Sequence, residues 1–398
     1  MKISDESLSY GQAVMEALLG VDALYRAESG DEAGLAVLNL DAAGTYRPEP
    51  IADYLAVRRR FEELRQSAAR LSEPDRRAYY GRLCTSTIAF ADWRDGGLPF
   101  QRQLADFLHV PAAPASESEL DALRADMKVL LDGMGYVGDL RRQCSDWEAR
   151  NRVPADEVPD VLRGLLDEAW KRTEEQLLAI PAPKSDGMSV RAVSGVAYNA
   201  RCDYLARTIE LNVDPTLTRP ALKHLAVHEG YPGHYLQFKL RETMALADEA
   251  AADVLLSVVN TASSSVFEGI ADAGLEMLGW VESDDDRLQA LMNRYRAGIG
   301  TVAAWKLHAQ ALPTGSVTDW LRHAALVGGD GWVENRVRFV SAPQRAVLIW
   351  SYWWGERSVA PAWRAVTREQ RTDFLHFLHG RMHSIESVAM FPFAVTEP

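Results

Sequence analysis

Cysteine is scarce and scattered. Cys84, Cys144 and Cys202 are odd in number and far apart in a chain of 398 residues, which fits reduced thiols rather than a disulfide framework. Clustered positive charge is missing as well. Acidic residues outnumber basic ones 56 to 43, for a formal charge of −13, and no Lys/Arg run could track a phosphate backbone, so nucleic acid is not an expected partner. No apolar run approaches the roughly 18 residues that a membrane helix requires, and no membrane partner is expected. The start, MKISDESLSYGQAVMEALL, places acids ahead of its apolar residues and lacks a small-residue cleavage site, unlike a secretory signal. A cytoplasmic location is the expectation. Internal repeats and low-complexity segments are also absent.

What remains is an average globular composition, 47% hydrophobic and 25% charged, arranged mostly with helical periodicity. Segments 13–27, 51–71, 119–135 and 160–180 each repeat apolar residues at three- and four-residue spacing. PAPKSDGMS, residues 181–189, gathers Pro, Ser and Gly and suggests a division into an N-terminal helical region, 1–185, and a metal-binding catalytic region with a small sheet, 186–398, with one continuous domain as the alternative. VRAVSGVAYNA and LARTIELNVD then alternate β-branched with polar residues and predict a small sheet of two or three strands. Helical periodicity returns from Arg219, through ALADEAAADVLLSVVNTA at 245–262, almost to the end. The expected fold class is mainly α, with a minor sheet just before a histidine-rich stretch.

That stretch, HLAVHEGYPGHYLQF at 224–238, holds three of the nine histidines. In the H-E-x-x-H zinc motif the histidines are four apart and share a helix face, with the glutamate beside the bound water. Here His234 follows His228 by six positions, which on a regular helix turns it roughly 120° away. Pro232 has no N–H for the carbonyl of His228, and Gly233 opens backbone angles closed to other residues. A kink or bulge between 230 and 233 would bring His234 back to the side of His228. Alternatively, the helix ends at Gly230 and His234 begins the next one.

Glu268 is the one charged residue in VLLSVVNTASSSVFEGIA, residues 254–271. A carboxylate on so apolar a helix needs an ion pair, hydrogen bonds or a metal. Two histidines followed by this glutamate match the His₂Glu ligand set of catalytic zinc sites, which keep a fourth position for water. A carboxylate bonded to the three preceding serines is the plainer alternative.

HEGYPGHYLQ followed by EGIA resembles a large bacterial family known only as a domain of unknown function, with the signature H-E-x-x-P-G-H-x-x-Q and a later E-G-W-A. That family is related to the gluzincin, thermolysin-like metallopeptidases, and weaker similarity runs from about Tyr198 to the C-terminus. The resemblance implies a multi-helix gluzincin-like metallohydrolase, with His228, His234 and Glu268 as Zn2+ ligands and Glu229 as general base. It also implies that IELNV is an edge strand whose Asn212 holds an extended substrate. The likeness is incomplete. E-G-W-A-L-Y-A-E becomes EGIADAGLE, and RFVSAPQRAVLIWSYWWG matches the later family element in two registers, one through Arg338 and Pro343, the other through Ser351, Tyr352 and Gly355. A rebuilt substrate pocket is expected.

Tyr352, Arg381 and His383 are candidates by residue type for stabilising an oxyanion. His224, four residues before His228, is a candidate to hydrogen-bond and orient a metal-bound group, whereas His376 and His379, at helical spacing, are left out of the site. The expected activity is zinc-dependent hydrolysis of a peptide or peptide-like amide. Hydrolase or lyase chemistry on a small metabolite is the close alternative, and a metal-free helical binding protein the distant one. The eleven tryptophans suit either an apolar pocket or the core, and oligomeric state is open.

Overall fold

The computed structural model describes residues 3–30, 36–177 and 187–393. It is mainly α-helical, with two small sheets. Among the described residues, no helix is long and apolar enough to cross a membrane. The expected division at 185/186 lies outside the described residues. The apolar interior nevertheless draws on both sides of it. One cluster joins Val14, Phe61, Tyr80 and Leu166 to Leu222, Val227 and Phe374. A second joins Leu104, Met127 and Trp147 to Ile299, Trp332 and Trp350. Several tryptophans are thus core residues: Trp147, Trp332 and Trp350 are almost wholly excluded from water.

The first sheet pairs β1 (Ala36–Asn39) with β5 (Leu256–Val258), antiparallel. This corrects the helical reading of 245–262. The helix of His234–Leu246 stops, a short 3-10 turn covers Ala252–Leu255, and the β-branched run that follows finds a partner strand from the far N-terminal side. Pairing across such a separation overrides a local periodicity that suits a helix.

The second sheet lies where the sequence places it. β2 (Ser189–Val193), β3 (Ala200–Asp203) and β4 (Thr208–Asn212) form three strands in the order β2-β4-β3. β4, with IELN buried, is central, parallel to β2 and antiparallel to β3. The expectation that IELNV forms an edge strand is therefore corrected: the free edge beside the histidine stretch belongs to β3.

Two later helices complete the frame of the site. Ser264–Asp272 carries Glu268, and Ile349–Ala365 carries Tyr352. They meet backbone to backbone at Gly269 and Gly355. A Cβ at Gly269 would lie 2.2 Å from the Gly355 carbonyl oxygen, and one at Gly355 would lie 2.4 Å from that of Ser265. Only glycine at both positions allows this separation, which holds Tyr352 close to Glu268.

Gly269→Ala is expected to cost about 1–3 kcal/mol through overpacking against rigid backbone. Gly164→Ala is the control: the site is exposed, on the helix Val158–Leu177, and a Cβ meets nothing within 4 Å. It should be neutral or stabilising by up to about 1 kcal/mol. Urea denaturation of both variants checks the contrast, and equal stability of the two would contradict the close-approach argument.

Candidate metal centre

The helix of Arg219–Leu225 begins as its sequence dictates. Thr218 caps it by accepting from the Ala221 N–H at 3.3 Å, and Pro220 occupies the first turn. The ladder then widens. Ala226–Gly230 forms a single π turn, with the Tyr231 N–H donating to the Ala226 carbonyl at 3.2 Å and the Gly233 N–H reaching Val227 at 2.9 Å. The Tyr231-Pro232 peptide is cis. A new helix starts at His234. Both expectations for this stretch hold together: the helix ends at Gly230, and the widened turn still returns His234 to His228. Gly233 is required here, because a Cβ would fall 1.9 Å from the His228 carbonyl oxygen.

The two imidazoles stand nearly perpendicular, with ring centroids 4.7 Å apart at 81°. Nε2 of His228 and Nε2 of His234 each lie 3.4 Å from the same oxygen of Glu268, Oε2. All three residues are buried. At 3.4 Å these contacts are longer than ordinary N–H···O bonds, and Glu268 Oε2 is a buried atom with no hydrogen-bond partner. Four ligands about 2.0–2.1 Å from a tetrahedral zinc stand about 3.3–3.4 Å from one another. The donor types and their spacings thus fit a divalent metal.

Neighbouring residues fix these side chains. His228 Nδ1 meets Asp272 Oδ1 at 2.9 Å, an orienting carboxylate of the kind that sets a metal-bound imidazole's tautomer. His224 Nε2 lies 3.6 Å from that same oxygen, forming a second His/His/Asp group with His228. His234 stacks on Phe267, centroids 4.2 Å apart at 11°. Asp272 had no place in the sequence reading. Its signal was the E-x-x-x-D spacing, which puts both carboxylates on one face of the Ser264–Asp272 helix.

Burial opposes the charge on His228, but Asp272, Glu268 and Glu229 outweigh it and raise its pKa well above the ordinary imidazole value. Burial likewise opposes ionisation of Glu268, yet the two imidazoles hold its carboxyl down at about 2. His224, half-buried and next to His228, falls to about 4 through lost hydration despite Asp272.

Glu229 adjoins the ligands and is held by the edge strand: the Cys202 N–H donates to its Oε2 at 2.9 Å. His224, His228, Glu229 and Asp272 line a cleft of about 470 Å3 that also takes in Tyr198, Ala200 and Tyr352. Tyr352 therefore lies at the site. Burial, then Glu268, raises its phenol well above the ordinary value, with Arg336 opposing.

The structure does not bring the other candidates to the cleft. Arg381 is buried against Asp75, 2.8 Å away, in a network with Arg76. His383 Nε2 meets the Phe377 carbonyl at 2.7 Å, and its position among Arg76 and Arg381 is an interior one. Their motif, HGRMH, reads identically whether it faces a cleft or a core. Asn212 spends its amide on the backbone, donating to the Tyr198 carbonyl and accepting from the Asp214 N–H, both at 3.0 Å. It shapes the strand end and does not line the cleft.

No family model and no curated protein matches this sequence, so no match ties the chain to the gluzincin-related family. Its fold is similar to that of a candidate lipoprotein from Colwellia psychrerythraea, with a TM-score of 0.52 and 14% identity over 84% of this chain. The chain spans 65% of that protein's length. A candidate lipoprotein of unknown function from Shewanella oneidensis is similar at a TM-score of 0.51 and 13% identity, over 84% of this chain and 71% of that one.

His228→Ala and Glu268→Ala are expected to lose bound metal, whereas Asp272→Asn should weaken metal affinity by about 10–100-fold without abolishing it. Because the ligating imidazole must be deprotonated and His228 is raised, apparent zinc affinity should keep climbing as pH rises beyond the ordinary imidazole range. Competition with a chromophoric chelator measures both effects, and a pH-independent affinity would contradict the assignment of His228.

Proposed function

We propose that the protein is a zinc-dependent hydrolase of gluzincin-like design that cleaves a peptide or peptide-like amide bond. The observation that carries this reading is the convergence of His228, His234 and Glu268 at tetrahedral ligand spacing with Glu229 beside them. Zinc held by these three residues would supply Lewis acidity toward water and toward an amide carbonyl.

Glu229 takes the attacking water's proton and delivers it to the departing amine. Its Oε2 is anchored by the Cys202 N–H, which holds the carboxylate in place beside the proposed ligands. The phenol of Tyr352 stays protonated, since its pKa is raised, and donates to the oxyanion that develops on the carbonyl. The edge of β3 positions the substrate. The Asn212 N–H donates to Asn199 across the β3–β4 pair, so in antiparallel alternation Ala200 and Cys202 turn their backbone groups outward. Cys202 spends its N–H on Glu229. Ala200, which lines the cleft, offers its N–H and C=O to an extended substrate, the role that the sequence reading assigned to Asn212.

A cleft of about 470 Å3 is within the range for small-molecule sites, about 300–1,000 Å3. This favours a short peptide or an amide-bearing metabolite over a folded protein.

Glu229→Gln is expected to lower kcat by about 10³-fold or more while zinc content stays near one per chain, and Tyr352→Phe to lower kcat by about 10²-fold with little change in KM. Turnover of a panel of dipeptides and acylated amino acids, with metal content measured on the same samples, provides the check. Full activity in Glu229→Gln, or after complete removal of metal, would sink the proposal.

A further inference from the structure

Beyond the histidines the cleft is lined by many charges, and most are matched. Arg294 is paired with Glu356, Arg364 with Glu276 at 2.7 Å, and Arg287 with Asp284 at 2.6 Å. Two are not. Arg296, on the helix Asp284–His308, and Arg336, on the helix Gly329–Ser341, both line the cleft. No ion pair or hydrogen bond to a described residue engages either guanidinium, and the Nε of each is buried without a partner.

The two groups are held by an aromatic wedge. Trp332 lies between them, with its ring 5.1 Å from the Arg296 guanidinium carbon and 5.4 Å from that of Arg336. Stacking on indole orients a guanidinium and offsets some of its lost hydration, but it leaves the planar N–H fork unused. Asn293, one turn before Arg296 on the same helix, adds an amide nitrogen that is also buried and unpartnered. Burial lowers both arginines only to about 10, so each is a cation at neutral pH. Glu148 attracts Arg296 from a distance without a hydrogen bond, and no carboxylate engages Arg336; two adjacent cations compensated so little are costly to maintain for the fold alone.

We propose that Arg296 and Arg336 form an anion-recognition subsite of the cleft, and that the molecule cleaved is a small amide bearing a carboxylate. A carboxylate matches the guanidinium fork in two parallel hydrogen bonds. Tyr352 links the subsite to the reaction centre, since its hydroxyl senses both Arg336 and Glu268. A substrate gripped at Arg336 would therefore present a nearby carbonyl to Tyr352 and Glu229. The cleavage half of this inference rests on the hydrolase reading, whereas the binding half does not.

The test is calorimetric titration of the full chain, with and without zinc, using hippurate and its uncharged analogue hippuramide. Hippurate is expected to bind at least about tenfold more tightly than hippuramide in both metal states, a gain typical of one charge-assisted contact. Arg336→Gln and Arg296→Gln should each remove most of that preference while leaving zinc uptake unchanged. Their melting temperatures should not fall, because neither variant breaks an ion pair. Equal or absent binding of the two compounds, or a preference that survives Arg336→Gln, would overturn the subsite. Hippurate preference in a protein that takes up no zinc would support the subsite and overturn the hydrolase reading instead.

Discussion

A buried carboxylate between two imidazoles governs this site. Glu268 sits on an apolar helix, and an uncompensated charge there would cost several kcal/mol. Its Oε2 faces both Nε2 atoms at 3.4 Å, and that compensation requires His228 and His234 on the same side of the chain. Six residues of regular helix would separate them. The π turn at Ala226–Gly230 and the fresh helix start at His234 remove the conflict, so the irregular backbone of this segment is the condition for burying Glu268.

Support for the carboxylate then passes outward through helix packing. Asp272, one turn after Glu268, meets His228 Nδ1 and also lies near His224, so a single helix face supplies one proposed ligand and the carboxylate that orients another. The glycine contact between this helix and Ile349–Ala365 brings Tyr352 into the same electrostatic environment. On the other flank, β3 ties Glu229 by one backbone N–H. The reactive groups therefore come from four separate elements, each held by backbone geometry or close packing rather than by long flexible side chains. Such support would keep the proposed catalytic arrangement preorganised.

Charge is distributed unevenly around the cleft. Near the histidines, acids prevail: Glu229, Glu268 and Asp272 stand beside the imidazoles. Elsewhere in the cleft, Arg296 and Arg336 make no ion pair or hydrogen bond with a described residue, and Glu148 attracts Arg296 only from a distance. A molecule with an electrophilic carbonyl at one end and a negative group at the other would be oriented by that polarity before any specific contact formed.

Much of the centre was legible in the linear chain because chemistry restricts it locally. The His-Glu pair, the Pro-Gly break and a lone carboxylate in an apolar stretch are informative wherever they occur, and the predominance of helix follows from three- and four-residue periodicity. Strand order, the pairing of β1 with β5, and the interior fate of Arg381 and His383 were decided by contacts distant in sequence, to which local pattern is blind. IELNV reads as a strand whether it lies at an edge or in the middle. Asp272 was visible by spacing, but its meaning depends on where His228 points. The unpaired arginines lie beyond sequence reading altogether: an arginine without a partner is defined by what fails to reach it, and only the folded chain determines that.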